Sequence, residues 1–451
     1  MGSSQVLHLN LFLKLSSMRS TNLFLRHKFI FAVSIFLVLI LGNQVHVYPA
    51  DDETHHGSHT DNVTHHGAHE SIQNQKKDSI EYDDVSGKDS SKQYAEQIME
   101  YCENDKKHCP MMSLDVLYKT ASRQEVLNTF SDLNLLYDER DLSCHHTGHH
   151  LGSWLYKYTK DLKEALNYAT LFCGGSNYHG IFQSYFELEH RVHNVDNYQI
   201  NVSQLCAIEQ ENINWMHERD CIHGIGHGLT ILYNYDTTAA VNHCNEFMLQ
   251  WAQSACSRGV FMENNDHFVE TGKGDFDKNE IYFPCDKTIQ KFTAQCYFYH
   301  PMYLLERNNY SYNDTYDQCE NISPDKFVKY CYEGIGRTLQ YVGYTNPQKA
   351  ISNCYQGKEA AYHDDCLTGT IKTMLKQDAK TSSAFKLCSL SDRDFKSECY
   401  QIIGMWIKAF LSPSQQELER QCSKISEIDY VTDCINASEE TNVQADVFEP
   451  M

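Results

Sequence analysis

The chain has 451 residues, of which 18 are cysteines, and it carries a formal net charge of −22 at pH 7. This charge argues against nucleic acid or an anionic membrane surface as a partner, because both are polyanions. The even number of cysteines, none of them in a C-x-x-C sequence, favours a disulfide framework over zinc thiolates.

Residues 1–50 have the pattern of an export signal. Basic residues from Arg26 to Lys28 precede the apolar run Phe29–Leu41, which is shorter than a full membrane span. We expect either cleavage after Ala50 or retention of the segment as an N-terminal membrane anchor. Either outcome makes the protein extracytoplasmic, secreted or tethered to the outer face of the membrane. Six N-x-S/T glycosylation sequons agree with export: Asn62, Asn201, Asn309, Asn313, Asn321 and Asn436.

Residues 51–92 are polar and lack periodicity, which predicts a disordered tether. A near-duplicated T-H-H-G-x-H sequence places six histidines in it, and histidines on mobile backbone can bind Cu²⁺ or Zn²⁺ without a preformed site. We hypothesise that they collect metal for a folded site. Residues 93–140 show helical periodicity and are predicted to form an N-terminal helical segment. The six tether histidines are His55, His56, His59, His65, His66 and His69.

Residues 141–440 contain a repeat marked by cysteine, and we expect residues 441–451 to form a flexible tail. From Cys221 to Cys434 a cysteine recurs every 33 to 40 residues, each with a partner upstream. An Ala-x-x-x-Cys sequence ends one predicted helix, and the second cysteine opens the next. This period predicts an all-α solenoid of about eight disulfide-stapled helical hairpins. The expected pairs are Cys206–Cys221, Cys244–Cys256, Cys285–Cys296, Cys319–Cys331, Cys354–Cys366, Cys388–Cys399 and Cys422–Cys434.

Four cysteines lie outside the regular pairing, and three connectivities can join them. We favour Cys102–Cys109 together with Cys144–Cys173, because these pairs are neighbours in sequence.

The period, the Ala-x-x-x-Cys sequence and the glycine three residues after many repeat cysteines resemble TPR and Sel1-like α-hairpin repeats, especially exported versions with disulfides. The resemblance covers roughly residues 144–440 and concerns architecture alone, since the usual TPR signature residues are missing. Phrases such as C-H-H-T-G-H-H at 144–150 and C-I-H-G-I-G-H-G at 221–228 also resemble an uncharacterised group of exported proteins. That second resemblance implies a related fold and no known activity.

The first repeats contain histidines that suggest a metal site. His146 and His150 follow Cys144 by two and six residues, and His223 and His227 follow Cys221 by the same offsets. An i, i+4 pair lies on one helical face and suits chelation of one ion. Later repeats carry other residues at these offsets, so the scaffold does not require histidine there. His179 on the intervening unit and Glu263 on the next complete the predicted ligand set, and the further candidates are His145, His149, Glu187 and His300.

Three functions remain open from the sequence. The first is a metal-binding protein whose divalent ion is Zn, Cu or Fe, as imidazole and carboxylate ligands suggest. The second is an interaction scaffold that binds a protein on its concave face. The third is a metal-dependent enzyme on the same histidine face, with Glu263 as a candidate catalytic base.

Overall fold

The structure is a computed structural model that describes residues 90–105, 108–140, 144–192, 200–206, 215–377, 381–411 and 414–437. These residues form helices and no strands, so the predicted all-α class is confirmed. The export segment 1–50, residues 51–89 of the tether with all its histidines, and the tail 441–451 lie outside the described residues. Among the helices that are described, none combines the length and apolar character needed to cross a bilayer.

The N-terminal half contains the two longest described helices, Phe172–Val192 and Gln250–Thr271. Helices α1 and α3 pack on each other and precede the first repeat. Helices α4, α6, α7 and α9 then pack in succession, each against the next. The bounds are α1 Ser90–Tyr101, α2 Cys109–Leu117, α3 Arg123–Arg140, α4 Cys144–Thr159, α5 Leu162–Tyr168, α6 Phe172–Val192, α7 Trp215–Leu232, α8 Thr237–His243 and α9 Gln250–Thr271.

The C-terminal half continues the alternation of short and longer helices. Helices α10, α13, α16, α18 and α20 pack in succession or through a short neighbour. In addition, α16 contacts α6 and α18 contacts α7, although long stretches of sequence separate them. The bounds are α10 Thr293–Tyr299, α11 Pro301–Arg307, α12 Tyr312–Glu320, α13 Val328–Thr338, α14 Gln340–Thr345, α15 Pro347–Cys354, α16 His363–Gln377, α17 Ser382–Leu390, α18 Arg393–Leu411, α19 Gln415–Cys422 and α20 Val431–Asn436.

All nine predicted disulfides are present, including Cys102–Cys109 and Cys144–Cys173 among the four irregular cysteines. In the seven regular pairs, a cysteine in a short segment bonds to one in the helix that follows it. A loop closed over 12 residues, as in Cys354–Cys366, contributes on the order of 3 kcal/mol by restricting the unfolded chain. Nine such bonds indicate an oxidising compartment.

Five of the described short helices also carry an N-terminal side-chain cap that compensates for their length. Helices of seven to nine residues are marginal by themselves, and a capping side chain contributes about 1 kcal/mol by accepting a bond from a free backbone N–H. Each cap oxygen here accepts from the N–H three residues later. The capping residues are Asp161 of α5, Asp236 of α8, Ser311 of α12, Asn346 of α15 and Ser414 of α19.

Glycines let the longest helices approach until their backbones touch. A Cβ added to Gly180 of α6 would lie 1.9 Å from the carbonyl oxygen of His149 in α4. A Cβ added to Gly259 of α9 would likewise lie 2.0 Å from the carbonyl oxygen of His223 in α7. Only glycine fits at such a distance, and the close approach brings side chains of adjacent helices within reach of one another.

We predict that Gly259→Ala destabilises the protein by about 1–3 kcal/mol, because the added methyl group meets fixed backbone. Gly343→Ala is the matched control, since its Cβ would meet the sulfur of Met374 at 2.6 Å and a methionine side chain can move aside. The measurement is denaturant-induced unfolding of both variants. A gain in stability for Gly259→Ala, as expected at an open helical position, would contradict the packing described here.

Candidate metal centre

Five histidines from three consecutive long helices meet in the interior. His145 and His149 come from α4, His179 from α6, and His223 and His227 from α7. They form two triads that share His179, and within each triad the ligand nitrogens all lie within 4.8 Å of one another. Four of the five side chains are buried and His149 is half-buried. We call this set the five-histidine cluster.

Local backbone geometry places His179 in the cluster. Residues Cys173, Gly174 and Gly175 have left-handed φ angles of 54°, 66° and 70° at the start of α6. Regular helix follows this turn, so His179 lies in its first turn, between the two histidine pairs. The same turn directs the Cys173 carbonyl towards His145, whose Nδ1 lies 2.8 Å away.

Hydrogen bonds determine which nitrogen of His145 and His223 carries the proton. His145 Nδ1 donates to the Cys173 carbonyl at 2.8 Å, and His223 Nδ1 donates to the Ala255 carbonyl at 3.1 Å. A carbonyl oxygen can only accept, so the proton is on Nδ1 in both rings. The Nε2 atom of each neutral ring therefore carries a lone pair that is available to a metal.

The same arrangement recurs at the second histidine of each pair. His149 Nδ1 donates to Gln183 Oε1 at 3.2 Å, and His227 Nδ1 donates to Glu263 Oε2 at 2.8 Å. Gln183 Nε2 also donates to Glu263 Oε2 at 2.7 Å, which fixes the orientation of the amide. Partners of this kind orient the imidazoles of metal sites.

The unprotonated Nε2 atoms face each other at short range. The distance is 3.2 Å between His145 and His149, and 3.3 Å between His223 and His227. Two lone pairs at this distance repel unless a cation lies between them. With zinc–nitrogen bonds of 2.0–2.1 Å, two ligands of a tetrahedral ion lie about 3.3 Å apart, which matches both pairs.

His179 completes both triads. Its Nδ1 lies 3.0 Å from His149 Nε2, and its ring stacks on that of His227 with centroids 4.2 Å apart. Its Nε2 atom is buried and has no hydrogen-bond partner among the described residues. A buried polar atom without a partner is costly, and a metal ion would satisfy it.

Burial keeps the five histidines neutral. It lowers the pKa of His145, His149, His179 and His223 well below the ordinary value, and nearby charges add to this effect. The pKa of His227 falls to about 3, first through burial and then through the charges of Lys376 and Arg337. Neutral imidazole is the form that binds a metal.

The structure brings together only part of the ligand set predicted from the sequence. His179, His223 and His227 share a triad, whereas His146 is exposed, His150 is half-buried, and neither belongs to a triad. Their neighbours His145 and His149, which the sequence offered as further candidates, occupy the first triad instead. The difference of one residue is a rotation of about 100° around α4, so the two pairs lie on different faces.

The remaining carboxylate and histidine candidates have other positions. Glu263 lies behind His227, on its Nδ1 side, rather than beside the facing Nε2 atoms. Burial raises the pKa of Glu263 to about 7. Glu187 and His300 belong to neither triad, and His300 Nε2 donates to the Ile281 carbonyl at 2.6 Å.

A third group of potential ligands consists of Asp138, Cys144 and Cys173. Its two sulfurs are bonded to each other as a disulfide, so they are not thiolate ligands.

No protein-family model, no curated protein and no solved structure matches the chain. The geometry of the five-histidine cluster is therefore the basis for assigning a function.

We predict that His179→Leu makes the stability of the metal-free protein less sensitive to acid. The folded pKa of His179 is lowered and the unfolded value is about 6.5, so the unfolded chain binds one more proton below pH 6.5. Stability is therefore full above that pH and falls as the pH falls. The free energy of unfolding changes with pH, and removing this group should reduce its slope against pH between pH 6 and 5 by about 1.4 kcal/mol per pH unit.

The measurement is chemical unfolding of chelator-treated protein with its disulfides intact. His146→Leu is the control, because its side chain is exposed and changes little in environment on unfolding. Equal slopes for wild type and His179→Leu would show that His179 is not held neutral by burial.

Proposed function

We propose that this protein is an exported metal-binding protein whose five-histidine cluster holds two divalent ions. The observation that supports this most directly is the short distance between unprotonated Nε2 atoms within each histidine pair. It is 3.2 Å in the first pair and 3.3 Å in the second. One ion would be held by His145, His149 and His179, and the other by His179, His223 and His227. His179 would serve both ions as an imidazolate, after its ring proton is released to solvent, with its Nδ1 facing His149 and its unpartnered Nε2 serving the second triad.

The donor set supports a transition metal. Five imidazoles without a thiolate suit zinc, copper or iron, whereas calcium and magnesium prefer oxygen ligands. Glu263 and Gln183 would act through the imidazoles, since both accept hydrogen bonds from Nδ1 atoms. Removal of such orienting partners typically weakens metal affinity 10- to 100-fold.

We further propose that the stapled hairpins form a solenoid of the TPR and Sel1-like kind. Successive packing of the long helices supports this arrangement. Contacts from α16 to α6 and from α18 to α7 favour strong curvature over an extended superhelix. Export would expose the protein to the oxidising compartment that its nine disulfides indicate.

The metal content of four proteins tests the proposal. They are wild type, His145→Ala/His149→Ala, His223→Ala/His227→Ala and the control His146→Ala/His150→Ala. All would be secreted by an oxidising host, with residues 54–69 deleted so that tether histidines do not contribute, and analysed for bound elements after dialysis. We expect two ions in wild type and in the control, and the loss of one or both in each triad variant.

The control pair differs from the first triad pair by one residue along the same helix, so it carries the same number of substitutions. Equal metal loss in the control and the first triad variant would contradict the assignment of ligands. Absence of stoichiometric metal in wild type after growth in zinc, copper and iron would contradict metal binding itself, and would favour the interaction scaffold.

A further inference from the structure

A cavity lined by cationic side chains adjoins the five-histidine cluster, and His145 lies in the wall between them. The cations come from helices α7, α9, α13 and α16, so four hairpins contribute to the same cavity. Helix α16 contacts α6, so residues from the N-terminal and C-terminal halves lie close together here. The lining cations are Arg219, Arg258, Arg337, Lys372 and Lys376.

Two carboxylates pair with cations that line this cavity. Asp220 forms a buried pair with Arg219 and lies 3.7 Å from Lys376. Glu333 pairs with Lys372 at 3.0 Å. Neither carboxylate lines the cavity. Five cationic side chains line one cavity, although the net charge of the chain is −22. This local positive charge favours an anionic ligand.

Two of the guanidinium groups stack on aromatic rings. The Arg258 guanidinium carbon lies 4.0 Å from the Phe298 ring centroid, and that of Arg337 lies 4.5 Å from the Tyr299 centroid. Stacking restricts the planar groups, which donate pairs of hydrogen bonds to carboxylate or phosphate oxygens. The carboxyl of Asp266 also interacts with Arg337, but burial raises the pKa of Asp266 to about 7.

The cations act on the histidines as well. Charge on Lys376 contributes to the lowered pKa of His145, His223 and His227. Positive charge so close to the histidines also opposes a metal cation unless an anion offsets it. This step rests on the proposed function, whereas the cation-lined cavity stands without it.

We propose that the cavity is an oxyanion-binding site that takes a small phosphate or carboxylate beside the five-histidine cluster. Arg258 and Arg337 recognise its oxygens, and Lys376 contributes a further positive charge. Because His145 belongs both to the cavity wall and to the first triad, the bound oxyanion lies next to the first metal position. The site therefore combines an anion with a metal centre.

Isothermal titration of the full chain with sodium phosphate, and separately with sodium malonate, tests the site at pH 7. We expect saturable binding of at least one anion, weakened tenfold or more in Arg258→Gln and in Arg337→Gln. The exposed Arg393 provides a matched control, and Arg393→Gln should bind as wild type does. Arg337→Lys keeps the charge and should bind more tightly than Arg337→Gln, while thermal unfolding checks that each variant is folded.

Each titration is repeated after chelator treatment, so that the anion site and the metal centre are tested separately. Binding that persists without metal supports the cavity even if the metal proposal fails, and preference for phosphate or malonate identifies the source of the oxyanion. Binding of neither anion overturns the proposal. Binding that is equal in wild type and both glutamine variants overturns it too, because the anion would then occupy another place.

Discussion

Close contact between helix backbones is the constraint on which the rest of this structure depends. Gly180 lies against the His149 carbonyl and Gly259 against the His223 carbonyl, where no larger residue fits. Helices at this distance bring imidazoles from α4, α6 and α7 into one cluster. The nine disulfides and the helix caps restrain the short segments of the chain, while the long helices pack at this distance.

The imidazoles of the five-histidine cluster are neutral rather than protonated. Backbone carbonyls at Cys173 and Ala255, and side chains at Gln183 and Glu263, accept all four Nδ1 protons. The Nε2 lone pairs of these four rings then converge in a buried space, where a hydrogen bond with His179 Nδ1 reaches that of His149. Without a metal ion this arrangement destabilises the folded protein, whereas a bound metal ion would make it favourable. Proteins commonly give up stability in this way at functional sites.

Much of this could be predicted from the sequence, because it depends on local or covalent spacing. The all-α class and the seven regular disulfide pairs followed from the period, and His223 and His227 from their i, i+4 spacing, whereas His179 followed from its place on the intervening unit. The first pair could not be chosen from the sequence, because His145/His149 and His146/His150 both have i, i+4 spacing on the same helix. The cationic cavity had no sequence signal, since its lining residues come from helices that are far apart in the chain.

Anomalous X-ray diffraction from crystals of the zinc-loaded protein tests the central claim most directly. Data collected on both sides of the zinc absorption edge would locate each ion independently of any assumed ligand. The account predicts two anomalous peaks, each about 2.0–2.1 Å from the nitrogens of one triad, with His179 between them. Peaks beside His146 and His150, or no peak within the five-histidine cluster, would contradict it.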